Sequence, residues 1–165
     1  MFEKTYRVLS LVAALGVVHG RKKLQKTAFL LQHWGTDLMS RFSYHFYGPY
    51  SADLQAAVRD LVDRELLQEE QEKGSYVYRI TEKGQAFIRK WEGQFGGEHP
   101  FAIPQELLER LQGQSAPFLE LLSTYAFLLE TGDDPEEARK KAQRLKPHLA
   151  PLVDEVIRFY EEVRA

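Results

Sequence analysis

The chain of 165 residues contains no cysteine. That excludes disulfides, a thiol nucleophile and any cysteine-ligated metal. Asparagine is also absent, although glutamine is frequent. The lack of both thermolabile types fits a heat-adapted source. No apolar run suits a bilayer: the longest, Val8 to Val18, falls short of the roughly 20 residues that a membrane helix needs. The opening Met1-Phe2-Glu3-Lys4 does not read as a secretory signal, so a cytoplasmic protein away from membranes is expected. There is no glycine-rich phosphate loop and no nucleophile elbow. The five histidines (His19, His33, His45, His99, His148) lack metal-ligand spacing. Acidic pairs such as Asp133-Asp134 and Glu136-Glu137 fall at an expected helix start, where capping accounts for them. No catalytic residue, metal or cofactor is therefore expected.

What is present is globular: 44% hydrophobic and 28% charged residues. The net charge of -2 hides an asymmetry. Residues 1–47 carry seven Lys/Arg against two Asp/Glu, residues 48–80 four against seven, and residues 81–165 eleven against fifteen. A basic front thus precedes an acidic body.

Periodicity predicts a helix over 3–15, with Val8, Leu11, Val12 and Leu15 on one face and Gly16 ending it. Val17 and Val18 lead into a turn at His19-Gly20. A second helix is predicted over 21–34, buried through Leu24, Ala28, Leu31 and Trp34. Arg21, Lys22, Lys23 and Lys26 crowd its first turns, against the preference of the helix dipole for anions there. The stretch "FSYHFYGPYSADLQ" follows. Alternation predicts a strand with Phe42, Tyr44 and Phe46 on a buried face, broken by Gly48-Pro49. Ser51 is placed to cap a third helix reaching about Arg64. Leu67–Thr81 reads as a β-hairpin turning at Lys73-Gly74-Ser75, and Thr81 opens a fourth helix. Glycines and prolines between 93 and 104 mark a linker, after which the pattern is all helical, with segments near 104–111, 116–130, 135–145 and 149–163.

The expected fold is mainly α with a small β-hairpin (α+β): a winged helix-turn-helix with a helical C-terminal extension. Its parts are a winged-helix domain over 1–95, a linker over 96–104 and a helical subdomain over 105–165. "GRKKLQKTAFLLQ" (Gly20 to Gln32) followed by "YHFYGPYSADL" (Tyr44 to Leu54) resembles the YwgA-like family of uncharacterised bacterial proteins. More loosely it is similar to the Panacea (SocA-type antitoxin) domain, whose members carry a Lys-Leu-Gln-Lys helix and a later Gly-Pro. The resemblance implies a winged-helix-like fold and brings no catalytic residues.

The reading taken from the sequence is a non-enzymatic, DNA-binding regulator. Gln55 and Arg59, four apart on the third helix, would read bases on double-stranded DNA. Arg21, Lys22, Lys23 and Lys26 would contact phosphates, which position a reader without specifying sequence. The alternative is a protein-binding winged helix, an antitoxin-like or adaptor module, using the exposed side of the aromatic stretch: His45, Tyr47 and Tyr50. The acidic hairpin (Glu69, Glu70, Glu72) favours that alternative, since duplex binding is driven by cations. A structural subunit of a larger complex is the third class. Leu149, Leu152, Val156, Phe159 and Val163 follow a 3-4-3-4 spacing, which predicts a homodimer seam.

Overall fold

The structure is a computed structural model that describes residues 2–46, 48–95 and 101–164. Residues 96–100 of the expected linker, together with His99 and Tyr47, lie outside the described residues.

Helix α1 (Glu3–Leu15) buries Val8, Leu9, Leu11 and Val12, and Gly16 stops it at φ 78. Val17–His19 is a short strand, β1, so His19, expected in a turn, ends a strand instead. The cause is tertiary: it pairs antiparallel with a strand sixty residues later, matching Val18 with Tyr78. Helix α2 (Arg21–His33) is buried continuously from Leu24 to Leu31. Neighbours therefore cover it on every side, since eight consecutive residues span more than two helical turns.

The aromatic stretch departs from expectation. Strand β2 is Ser43–His45, and Gly48-Pro49 does not break it but forms the returning strand β3 (Gly48–Tyr50). Tyr44 pairs with Pro49, and His45 with Gly48. The chain reverses directly after His45, so Phe46 sits in the turn and is 92% exposed. Phe42 and Tyr44 are half-buried, against Phe29 and Phe127. The predicted burial of all three rings therefore fails at Phe46. Alternation continues only while a strand does.

Ser51 caps α3 (Ala52–Asp63), its Oγ accepting from the Leu54 N–H at 3.1 Å. Strands β4 (Leu67–Glu72) and β5 (Ser75–Ile80) form the predicted hairpin. Lys73 and Gly74 both take positive φ, 50 and 79, as a tight two-residue turn requires. Thr81 Oγ1 accepts from the Gly84 N–H at the start of α4 (Glu82–Phe95). The first sheet has the order β1-β5-β4, and β2-β3 form a second.

The remaining helices are α5 (Gln105–Gln112), α6 (Ala116–Glu130), α7 (Pro135–Leu145) and α8 (Val153–Arg164). A 3₁₀ turn, Pro147–Leu152, leads into α8. Ser115 caps α6, and Asp134 with Glu137 forms a reciprocal capping box on α7. Helix α6 is buried from Phe118 to Ala126 and packs on α2, β3, α7 and α8. One hydrophobic core runs from α1 through α6 to α8. The molecule is thus mainly helical with two small antiparallel sheets. Among the described residues, no helix is long and apolar enough to cross a membrane.

Candidate functional site

Polar groups gather where α2, the β2–β3 hairpin and α6 meet. Lys26 is 2% exposed and donates a hydrogen bond of 2.9 Å to the Pro49 carbonyl. Gly48, at φ 95, brings β3 against α6; a Cβ there would stand 3.0 Å from Thr124 Oγ1 and 3.4 Å from Lys26 Nζ. Glycine suits both the dihedral and the close approach. Lys146, 4% exposed, follows α7 and donates to the Phe46 carbonyl. Two lysines therefore grip the hairpin by its backbone carbonyls.

One carboxylate faces them. Glu120 on α6 is 6% exposed; its Oε1 lies 3.3 Å from Lys22 and its Oε2 3.3 Å from Lys146. Desolvation pulls the Lys26 amine down from 10.5 to about 8; Glu120 opposes this, and Lys146 and Lys22 add to it. The fold favours neutral Lys26 between those two values, so its share of stability rises with pH across that window. A lysine side-chain NMR titration should therefore show one resonance moving near pH 8, absent in Lys26→Gln. Its absence from the wild-type spectrum would remove Lys26 from the interior.

The other helix-two cations are also engaged. Arg21 Nε donates to Tyr78 Oη at 2.9 Å, and its guanidinium stands 3.3 Å from Glu69 and 3.7 Å above the Tyr76 ring. Lys23 donates to the Gln112 carbonyl at 3.4 Å. Arg21 is half-buried and Lys22 exposed. Lys26, expected at a phosphate, is walled off from any docking duplex by the hairpin that accepts its hydrogen bond.

Gln55 is half-buried and faces a cavity of about 280 Å³ lined also by Arg21, Lys22, Gln25, Lys26, His45 and Tyr50. Arg59 is exposed on α3, beside Asp60 and Asp63. Asp53, in the first turn of α3, is half-buried: it accepts from the Arg41 N–H and pairs with Lys4 at 3.4 Å. Burial opposes its ionisation, but the hydrogen bonds from Ser51 and Arg41 and the Lys4 charge hold its carboxyl below the usual value. His45 is exposed and stacks edge-on against half-buried Tyr50 at 5.1 Å. A larger hollow, about 640 Å³, lies between Phe2 and the Trp91 face of α4; its walls are largely aromatic, with Glu3 and Lys90 as its ionisable groups. Charge chemistry gathers in the smaller cavity.

The expected dimer seam is already covered. Leu149, Val156 and Phe159 are buried within one chain, and Leu152 and Val163 are half-buried against the same core. Phe159 packs edge-on against Phe118 of α6 at 5.6 Å, with the Arg110 guanidinium 4.7 Å from its ring. The spacing identified an apolar face correctly, but α5 and α6 of the same chain occupy it.

The sequence reading missed Glu120 and Lys146. Glu120 left a signal: it is the one charged side chain in the run "APFLELLSTYAFLL". Lys146, between α7 and Pro147, left none. It also missed a tie between helices: His33 Nδ1 lies 3.0 Å from Glu130 and its Nε2 2.9 Å from Tyr160 Oη. The order carboxylate–imidazole–hydroxyl resembles a catalytic relay. Tyr160, however, is only 7% exposed, so the tie joins α2, α6 and α8. Among the described residues, no three His, Cys, Asp or Glu side chains are grouped to hold a metal ion.

No family model matches the chain. The chain is similar to a Bacillus subtilis (strain 168) protein described as "Uncharacterized protein YwgA". Identity is 26% over 171 residues, covering 99% of this chain and 98% of the other. That supports the YwgA-like resemblance and extends it past the first half of the chain. The likeness to the Panacea domain gains nothing from it.

Proposed function

We propose that this chain is a non-enzymatic regulatory module of winged-helix type that works by binding a protein partner. The winged-helix reading is supported by the order α1, β1, α2, α3, β4, β5, with the strands arranged β1-β5-β4. The departure from that type is informative. A helix-turn-helix joins its two helices by a turn of three or four residues. Here a whole β-hairpin stands between α2 and α3.

One observation carries the protein-partner reading: Phe46, at the hairpin tip, is 92% exposed. It shares a surface hollow of about 500 Å³ with Tyr44, His45, Leu145 and Lys146, and Leu145 is 47% exposed. Exposed aromatic and aliphatic groups in one concavity mark interaction sites more often than singly scattered residues do. Lys140 and Arg144, both exposed, precede Leu145 on α7. The matching partner surface is an apolar anchor flanked by acidic groups.

The second reading, duplex recognition by α3, draws support from exposed Arg59. Against it stand the acidic β4–β5 hairpin and the intramolecular contacts of Arg21, Lys22, Lys23 and Lys26.

Phe46→Ser separates surface from core. It should leave stability within about 0.5 kcal/mol of wild type, as surface substitutions do. In parallel captures from native lysate, a protein retained by wild type should be lost with Phe46→Ser and with Leu145→Ser. Retention of the same protein by both variants would remove the hairpin tip from the interface. A drop in stability of several kcal/mol would show that Phe46 is not a surface group.

A further inference from the structure

We propose that the hollow between the start of α1 and the end of α4 binds a small aromatic carboxylate. It shares no lining residue with the hollow at the hairpin tip, so this proposal and the protein-partner reading fail separately. The first ground is an uncovered face. Phe87, Trp91 and Phe95 recur every four residues on α4, which places them on one stripe. Yet among the described residues of α4 only Gly84 is buried. Phe87 and Trp91 are half-buried, and Phe95 is 37% exposed. Phe2, at the N-cap of α1, is 41% exposed and faces them across the hollow. Singly scattered apolar residues are ordinary on a surface, whereas aromatic rings sharing one concavity mark a binding site. The volume, about 640 Å³, lies in the middle of the range for small-molecule sites.

The second ground is that these walls are already braced. Tyr6 stacks on Trp91 at 5.6 Å, and its hydroxyl donates to Glu92 at 2.9 Å. Phe2 meets Phe87 edge-on at 6.0 Å, and Phe95 lies 4.5 Å from Trp91. A preformed wall spares a ligand the cost of ordering it. The third ground is charge. The ionisable groups among the described lining are Glu3 and Lys90. The Glu3 carboxylate stands 3.0 Å from Arg7; the other carboxylate near Arg7, on exposed Asp37, is farther away at 3.9 Å. Among the described residues Lys90 makes no hydrogen bond or ion pair. Exposed Gln94 follows Lys90 by one turn on the same face of α4 and also lines the hollow. The rim therefore offers an unpaired ammonium and an amide N–H to a carboxylate, while the rings offer stacking to an aromatic body. An organic cation would gain from the ring faces but meet Lys90 at the rim.

The test is calorimetric titration of the full chain with indole-3-acetate at fixed pH and low ionic strength. Indole-3-acetamide, which is neutral, and tryptamine, which is cationic, are run in parallel. The carboxylate should bind about threefold to fivefold more tightly than the amide, the range of an exposed ion pair. Lys90→Gln should abolish that preference and leave affinity for the amide unchanged. Phe95→Ser should weaken both ligands about tenfold, as loss of an aromatic contact does. Both side chains are exposed, and circular dichroism confirms that each variant is folded. No heat at millimolar indole-3-acetate overturns the proposal. So does a preference that survives in folded Lys90→Gln, or affinity undiminished in folded Phe95→Ser. Tryptamine binding as tightly as the carboxylate makes the hollow a cation cage and overturns the carboxylate assignment. A wild-type dimer in light scattering that Phe95→Ser converts to a monomer puts a second copy in the hollow and overturns the small-molecule assignment.

Discussion

Glu120→Ala should cost the fold about 3–5 kcal/mol, the range for breaking a buried ion pair from one side. Glu120 is the carboxylate that both Lys22 and Lys146 approach at 3.3 Å. Lys146 is 4% exposed and Lys26 2%, so neither ammonium gains much water when the carboxylate is removed. The expected loss exceeds that of a surface pair, which is worth about 0–1 kcal/mol. Chemical denaturation measures it. Adding Lys146→Met should recover part of the loss, because the uncompensated ammonium goes with it. A single-mutant loss under about 1 kcal/mol would show that Glu120 is solvated. Additivity in the double mutant would show that the two groups do not interact.

Gly84→Ala is the second large effect, and its cause is steric. Gly84 is buried at the start of α4. A Cβ there would stand 2.3 Å from the Leu66 carbonyl oxygen and 2.7 Å from Ile80 Cγ1. A flexible side chain tip can yield; the Leu66 carbonyl cannot yield easily, because it accepts from the Thr81 N–H at 3.1 Å and from Thr81 Oγ1 at 3.1 Å. Helix propensity alone would favour alanine by about 1 kcal/mol. The clash should reverse that sign and destabilise by about 3 kcal/mol, the upper part of the overpacking range. Because α4 packs on α1, the stacked Tyr6–Trp91 pair reports the change through tryptophan fluorescence. Unchanged or raised stability would mean that α4 does not approach Leu66 this closely.

What was legible in the sequence was local. Ser51 and Asp134 cap helices through their own side chains, and Lys73-Gly74 turns a hairpin through its own dihedrals. Each such signal lies within a few residues of its effect. The failures needed a distant partner. β1 exists because β5 pairs with it, and nothing in Val17-Val18-His19 names that partner. Phe46 was read as buried by extending an alternation one residue past the reversal that Gly48 permits. The α8 stripe was read as a seam because spacing defines a face without identifying what covers it. Helix α6, buried through ten of its fifteen residues, needed covering on several sides, and α8 supplies one of them. Lys26 shows the same limit for the site. It lies four residues before Leu30, on the buried side of α2, yet its charge suggested solvent. Its neighbours Glu120 and Lys146 come from the far end of the chain.

The central claim is that the cations of α2 serve the interior of this molecule and not a nucleic acid. Fluorescence anisotropy of a labelled mixed-sequence duplex, titrated with protein at about 50 mM salt, tests it most directly. A duplex-binding protein shows even non-specific dissociation constants of about 10⁻⁴ to 10⁻⁶ M at physiological salt, and tighter ones at low salt. The account predicts no saturable rise in anisotropy up to about 10⁻⁵ M protein. Saturable binding with a steep salt dependence, flattened by Lys22→Ala and Lys23→Ala and relaxed in base preference by Arg59→Ala, would contradict it and restore the duplex reading.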